Sequence, residues 1–278
     1  LLGTISPFAI RLLVEDTAHA GQVAGKIYAI STLGSFIGTF LPTLVFIPAI
    51  GTTRTFLLFS LVLLFVALAG LGKFAGRKEL VKYLWMPFVI AVIAVLASGQ
   101  SLKNNEGQVY ETESAYNYIQ VKQQGDFTHL RLNEGQGVHS IYSPNTLQYD
   151  GPWDQVLAGP YFYTNKSPSD IKRVAIVGLA AGTAAHQLTA VYGSIPIDGY
   201  ELDPKIVQVG QQYFGMTMPN LNVIIGDGRL NLERSEHKYD IISVDAYPQP
   251  YIPPHMTTQE FFQIVASHLT EGGVLTIN

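Results

Sequence analysis

Arg173-Val174-Ala175-Ile176-Val177-Gly178-Leu179-Ala180-Ala181-Gly182 is the stretch that decides the fold of this chain. Its apolar run, 173–177, is short and β-branched and stops at a glycine, as a strand buried on both faces does. Gly178 to Gly182 is a tight turn of small residues, and 182–192 reads as the helix that it opens. Small residues let a backbone approach a ligand, and a helix N-terminus offers unpaired N–H groups. A second strand, 195–201, ends in Glu201, 23 residues after Gly178. An acidic residue about 20 residues past such a turn is where a ribose diol is gripped. The full G-x-G-x-x-G of a pyrophosphate cradle is absent, so the pattern suits an adenosyl cofactor better than a dinucleotide.

Downstream the alternation continues. Residues 204–214 read as a helix, 222–225 and 239–245 as strands, 258–269 as a helix and 274–278 as a further strand. Strands alternating with helices predict a parallel, doubly wound sheet. Upstream, the turns at 124–126 and 133–137 separate short strands over 116–121, 128–132 and 138–142, a small antiparallel sheet, and 153–161 reads as a helix.

The N-terminal third is different in kind. Only Lys26, Arg54 and Lys73 are charged between residues 23 and 74, whereas the whole chain of 278 residues is 14% charged and 47% hydrophobic. Residues 23–50 and 55–72 are uncharged enough and long enough to span a bilayer, for which about 20 apolar residues suffice. A shorter span covers 83–97, after a basic loop, 73–82, that holds Lys73, Arg77, Lys78 and Lys82. Gly34 and Gly38 form a small-xxx-small pair of the kind that lets helices approach in lipid. The alternative is a helical hairpin buried in a water-soluble protein. The predicted architecture is a multi-span α-helical membrane region (1–99), a small antiparallel β-sheet (109–150), and an α/β Rossmann-like, class I methyltransferase-like domain (151–278). The chain starts inside an apolar run and stops inside a strand, and reads as a fragment of a longer protein.

Composition removes several chemistries. With no cysteine there are no disulfides, thiolate metal sites or cysteine nucleophiles. A formal net charge of −4 gives no electrostatic case for nucleic acid. The candidate residues instead gather at four successive strand ends: Gly178 and Gly182, Glu201, Asp227 with Gly228, and Asp245. The carboxyl edge of such a sheet is where ligands bind. A carboxylate at Asp227 suits an adenine amino group, and one at Asp245 can orient an amine or take its proton. Each also has a plain structural reading: a glycine turn, an Asp-Gly turn, a helix cap. His186 reads as a surface helix residue.

Several segments resemble the spermidine synthase (aminopropyltransferase) family, and in particular its bacterial branch with a fused membrane region. They are Ser6-Pro7-Phe8-Ala9-Ile10-Arg11-Leu12, Ala29-Ile30-Ser31-Thr32-Leu33-Gly34-Ser35, Glu113-Ser114-Ala115-Tyr116-Asn117-Tyr118-Ile119, Glu201-Leu202-Asp203-Pro204, Gly226-Asp227-Gly228-Arg229 and Asp245-Ala246-Tyr247. The resemblance implies transfer of an aminopropyl group from decarboxylated S-adenosylmethionine to a small amine, without metal. It implies Glu201 on the ribose, Asp227 on the adenine, Asp245 as the proton acceptor, and Tyr247, Gln136 and His139 on the substrate side, with ordinary loop hydrogen bonding the alternative for Gln136 and His139. It also raises a homodimer as an expectation. Two positions depart from the family pattern: Ala181 and Pro248 stand where aspartates would hold the amines. Two other readings therefore stay open, a methyltransferase using ordinary S-adenosylmethionine, and a membrane transporter or sensor that binds a nucleoside or polyamine without turnover. The expected setting is a bacterial inner membrane with the catalytic domain in the cytoplasm, where adenosyl cofactors are. The basic loop at 73–82 argues against that side, since one further span would carry the domain outside.

Overall fold

The computed structural model describes residues 2–14, 16–97, 106–133, 137–163, 165–247 and 252–278. The chain folds as two compact units, Leu1–Leu102 and Lys103–Asn278.

The first unit is helical: α1 (Ile5–Leu13), α2 (Ala20–Leu41), α3 (Ile47–Ile50), α4 (Thr52–Phe74), α5 (Arg77–Val81) and α6 (Met86–Ala97). Three helical stretches, Ala20–Ile50, Thr52–Phe74 and Arg77–Leu96, are long and apolar enough to cross a membrane. α2 passes into α3 through a π-turn over Pro42–Phe46. Pro42 lacks the N–H that would continue the α ladder, so the winding loosens there. The hydroxyls of Thr39 and Thr43 donate to the carbonyls of Ser35 and Thr39, 2.8 and 3.1 Å away, which keeps these groups paired without solvent. Large apolar side chains face outward, among them Phe36, Phe56, Phe65 and Phe88. Two expectations need correction. Half of the basic loop is the helix α5. Among the described residues the Gly34/Gly38 pair brings no other helix close, because a Cβ at either position would meet nothing within 4 Å.

The second unit carries two sheets. β1 (Gln108–Glu113), β2 (Tyr118–Gln124), β3 (Phe127–Leu132) and β4 (Gly137–Tyr142) pair antiparallel in sequence order. β1 falls where the sequence turns β-like, from Val109, although Gln-Val-Tyr-Glu-Thr-Glu lacks the apolar alternation that marks its neighbours. After α7 (Pro152–Ala158) come β5 (Val174–Val177), α8 (Thr183–Tyr192), β6 (Ile197–Glu201), α9 (Pro204–Tyr213), β7 (Leu221–Ile225), α10 (Gly228–Glu233), β8 (Tyr239–Val244), α11 (Gln259–His268) and β9 (Leu269–Ile277). These five strands are parallel in the order β7-β6-β5-β8-β9. The order reverses between β5 and β8, which opens a crevice at their carboxyl ends.

The core explains the all-apolar strands. Val174 and Ile176 of β5 enter one buried cluster with Leu188, Ile197 and Ile241, while Ala175 and Val177 enter another with Tyr200, Ile242 and Phe261. Successive residues of a strand point to opposite faces, so a strand covered on both sides reads as a continuous apolar run. A third cluster joins Ile119, Val121 and Leu130 of the small sheet to Ile206, Val209 and Phe214 along α9, which makes the two sheets one compact unit.

Two boundaries differ from expectation. In the sequence α10 reads as part of an Asp-Gly turn; Asp227 instead caps it, its Oδ1 accepting from the Leu230 N–H at 3.0 Å. β9 begins at Leu269 rather than 274, because Gly272, at φ 72°, takes the backbone through a bend that leaves the strand unbroken.

Candidate active site

The turn after β5 is tied down by its own amides. Gly178 and Leu179 donate to the Tyr200 carbonyl, both at 3.0 Å. Ala180 donates to Glu201 Oε2 at 2.9 Å, Ala181 to Ser140 Oγ at 2.9 Å, and Gly182 to the Leu179 carbonyl at 3.0 Å. The sequence suggests free N–H groups aimed at a ligand. None of these five is free, so the turn offers no unpaired amide to a phosphate.

The glycines are required by the protein itself. At Gly178, φ is 93° and a Cβ would lie 2.2 Å from the Asp245 carbonyl oxygen. At Gly182 a Cβ would meet the Met216 side chain at 2.7 Å, and at Gly228 it would meet Val177 Cγ1 at 2.6 Å. Gly182 borders neither cavity of the crevice, whereas Gly178 and Gly228 do.

Glu201 ends β6 and is 8% exposed. Burial is the main influence on its carboxyl and pushes it above the usual range, opposed by the amides of Asp203 and Ala180. Oε1 accepts from the Asp203 N–H at 2.9 Å and Oε2 from Ala180. The Leu202 amide also acts on it, and since a carboxylate has about four acceptor positions, Glu201 retains capacity toward a further donor. The neighbouring Asp203 is fully buried and holds three elements together: it caps α9 through Lys205 N at 2.9 Å and accepts from Ser114 Oγ at 2.5 Å and Asn117 Nδ2 at 3.0 Å.

Asp227 is half-exposed, and its second oxygen lies 3.2 Å from His255 Nε2. Asp245 follows β8. Burial raises its carboxyl above the usual range, while an Asn278 side-chain hydrogen bond (Nδ2 to Oδ1, 3.2 Å) and the charge of His139 pull it back. Burial lowers the ring of His139, with Asp245 acting the other way. Tyr247 is raised by burial first and then by Asp245. His186 is not a plain surface residue: its Nε2 lies 2.9 Å from the Phe214 carbonyl and its ring meets that of Tyr142. Gln136 and Pro248 lie outside the described residues. Ala181 is fully buried and borders neither cavity.

Two cavities open on the crevice. One, of about 270 Å³, is bordered by Glu201, Asp227, Gly228, Tyr247 and His255, with Leu202, Ile206 and Met256 as apolar walls. The other, of about 670 Å³, is bordered by Trp153, Gln155, Phe162 and Tyr163 beside α7 and by the end of β9. His139, Gly178, Ala180 and Asp245 border both. Sequence reasoning missed Trp153, Phe162, Tyr163 and His255. They come from loops and a short helix whose residues carry no charge pattern, and only the fold brings them to the crevice. Among the described residues no group of three or more His, Cys, Asp or Glu side chains is arranged to hold a metal ion.

A family model described as the spermine/spermidine synthase domain matches residues 163–278. Residues 163–278 are similar to that family, over less than half of the chain. The chain is 38% identical over 169 residues to a probable polyamine aminopropyl transferase of Bifidobacterium longum, covering 61% of this chain and 36% of that protein. It is 24% identical over 299 residues to a polyamine aminopropyltransferase of Oceanobacillus iheyensis, covering 100% of this chain, helices included, and 56% of that protein. The chain thus spans about a third to just over half the length of these relatives. Among solved structures, a probable spermidine synthase from Corynebacterium glutamicum aligns with a TM-score of 0.52 at 19% identity, covering 63% of this chain and 64% of that one. That likeness concerns the fold. Gly178, Glu201, Asp227 and Gly228, expected at the cofactor, and Asp245, expected to take the proton, border one crevice at the sheet's reversal point, and Gly182 does not.

Proposed function

We propose that this chain carries an aminopropyltransferase, moving an aminopropyl group from decarboxylated S-adenosylmethionine to an amine. The observation that carries the reading is the position of Asp245 on the wall shared by the two cavities, so that one carboxylate faces both reactants. The synthase-domain match over 163–278 supports it. In this reading Glu201 holds the ribose hydroxyls, Asp227 the adenine edge, and Leu202, Ile206 and Met256 the flat faces of the adenosyl group. The sulfonium of the bound donor makes its attached methylene carbon electrophilic. Asp245 takes a proton from the acceptor ammonium, which frees the nitrogen lone pair to form the new N–C bond as the C–S bonding pair leaves with sulfur. Burial favours this step, since a carboxyl held above its usual range binds the proton more readily. Tyr247, His139 and Gln136 are proposed on the acceptor side.

Methyl transfer is the second reading, favoured by Ala181, which leaves the loop without a carboxylate for the donor's amine. Incubating the full-length protein with either donor and a panel of amines, followed by mass spectrometry, separates the two. Aminopropylated amine with methylthioadenosine is expected. Methylated amine, or binding of both donors without product, would overturn the proposal.

We further propose that residues 1–99 form the membrane part, embedded by the three apolar stretches in a bacterial inner membrane, that 109–150 walls the crevice, and that 151–278 binds the donor from the cytoplasmic side. Exposed phenylalanines along the helices support embedding. Protease digestion of sealed inner-membrane vesicles should cleave the second unit in inside-out vesicles alone; cleavage in right-side-out vesicles would reverse the side.

A further inference from the structure

The two oxygens of Asp227 are engaged differently. Oδ1 accepts from the Leu230 N–H at 3.0 Å, which caps α10 and ties the carboxylate to the helix. Oδ2 lies 3.2 Å from His255 Nε2. An ionised carboxylate only accepts, so the ring nitrogen facing it is one that carries hydrogen. The backbone that presents this ring is anchored on several sides. Arg229, on α10, donates through Nη1 to the His255 carbonyl and to Thr258 Oγ1, the latter at 3.2 Å. Pro253 and Pro254 fix φ on the approach, and the Met256 N–H donates to the Pro253 carbonyl at 2.9 Å. Met256 itself is buried in the cluster that holds Phe261. The start of α10 therefore grips His255 twice, at its side chain through Asp227 and at its main chain through Arg229. Asp227, His255 and Met256 all border the smaller cavity.

We propose that His255 is a positioning residue of the donor site, holding Asp227 Oδ2 turned toward the purine edge of the bound donor. The inference rests on the reading that places the adenine amino group at Asp227. A carboxylate oxygen has two acceptor lobes, so Oδ2 can meet His255 with one and the amino hydrogen with the other. Without the ring, Oδ2 faces water and the carboxylate turns about its cap, and binding the donor must then order it. The contact does little for the fold itself, because the His255 and Asp227 side chains are 47% and 42% exposed and such pairs add little stability. Its effect therefore falls on donor binding. Since it acts through Asp227, that effect is bounded by what Asp227 contributes.

The test is calorimetric binding of decarboxylated S-adenosylmethionine to the full chain in detergent, with thermal unfolding and steady-state rates alongside. His255→Phe keeps a ring and removes the N–H, and His255→Gln keeps an N–H near the place of Nε2. His255→Phe should weaken binding by about three- to tenfold, raise KM for this donor more than it lowers kcat, and melt with the parent chain. His255→Ala should do the same, which separates the lost N–H from any clash of the larger ring, and His255→Gln should recover most of the affinity. In an Asp227→Ala background His255→Phe should cost nothing further, since a residue acting through another is not additive with it. Full affinity in His255→Phe and His255→Ala, an equal loss in both backgrounds, or a loss that glutamine does not recover would overturn the inference and leave the transferase reading standing. Unchanged affinity in Asp227→Ala alone would take the purine away from Asp227 and the inference with it. No affinity of the parent chain for this donor would overturn both the inference and the transferase reading.

Discussion

Replacing Gly178 with alanine tests whether the turn and the proposed base are one rigid device. The new Cβ would stand 2.2 Å from the Asp245 carbonyl oxygen, 2.5 Å from its carbon and 2.8 Å from Ala246 Cα. All three are backbone atoms, so no rotamer change relieves them, and an ordinary contact needs more than an ångström of extra room. Backbone at φ 93° adds strain for any residue with a Cβ, about 1–2 kcal/mol. Overpacking of this kind typically costs another ~1–3 kcal/mol. The sum is a destabilisation of about 2–5 kcal/mol. Because the shift falls on Asp245, turnover should drop beyond what stability explains, as a displacement near 1 Å can cost about a hundredfold. Gly182→Ala is the control. Its φ is 89°, but the atoms it meets belong to the flexible Met216 side chain, so it should lose stability without a comparable loss of rate per folded molecule. The assay is thermal unfolding alongside initial rates on the folded fraction. Equal rates in the two variants would refute the proposed coupling of the turn to Asp245.

Three further outcomes follow from the site. Burial holds the Asp245 carboxyl above its usual range, so acidification should remove the base at a higher pH than for an ordinary aspartate, about 3.9; a rate profile flat down to that value would contradict the assignment. Glu201→Ala should destabilise the fold by about 2–5 kcal/mol, because the Ala180 and Asp203 amides both lose their acceptor, and should abolish measurable donor binding by calorimetry; retained affinity would remove Glu201 from the donor site. At Asp227, asparagine keeps the cap of α10 and alanine forfeits it at about 1 kcal/mol. Yet both should weaken donor binding by about tenfold, and unchanged affinity in both would leave Asp227 a cap and nothing more.

The parallel sheet was legible because its strands are covered on both faces, so Val174–Val177 and Tyr239–Val244 read as unbroken apolar runs. The carboxylates at the strand ends were legible by position, since topology alone puts residues 201, 227 and 245 on one edge. The reasons for the glycines were not. A free amide and one bonded to Ser140, or a glycine facing a ligand and one facing Asp245, look alike in sequence. The walls of the larger cavity were hidden too, because Trp153 and Phe162 reach it only through the packing of α7 on α8 and of the turn after it, Gly159–Phe162, beside β9. Asp203 has three hydrogen bonds that unite the small sheet with α9, all to partners distant in sequence or set by the cap, and its neighbours Leu202 and Pro204 give no sign of them.

The central claim is that Asp245 takes the proton at the wall between the two cavities, and Asp245→Asn tests it most directly. A carboxyl raised by burial favours the protonated state on folding, so above the unfolded value its ionisation works against stability. The neutral asparagine escapes that penalty at neutral pH, and the variant should melt no lower than the parent chain. Donor affinity, measured by calorimetry, should be retained, while kcat falls by about 10²–10⁴-fold. A folded variant that binds the donor and turns over at the parent rate would contradict the account.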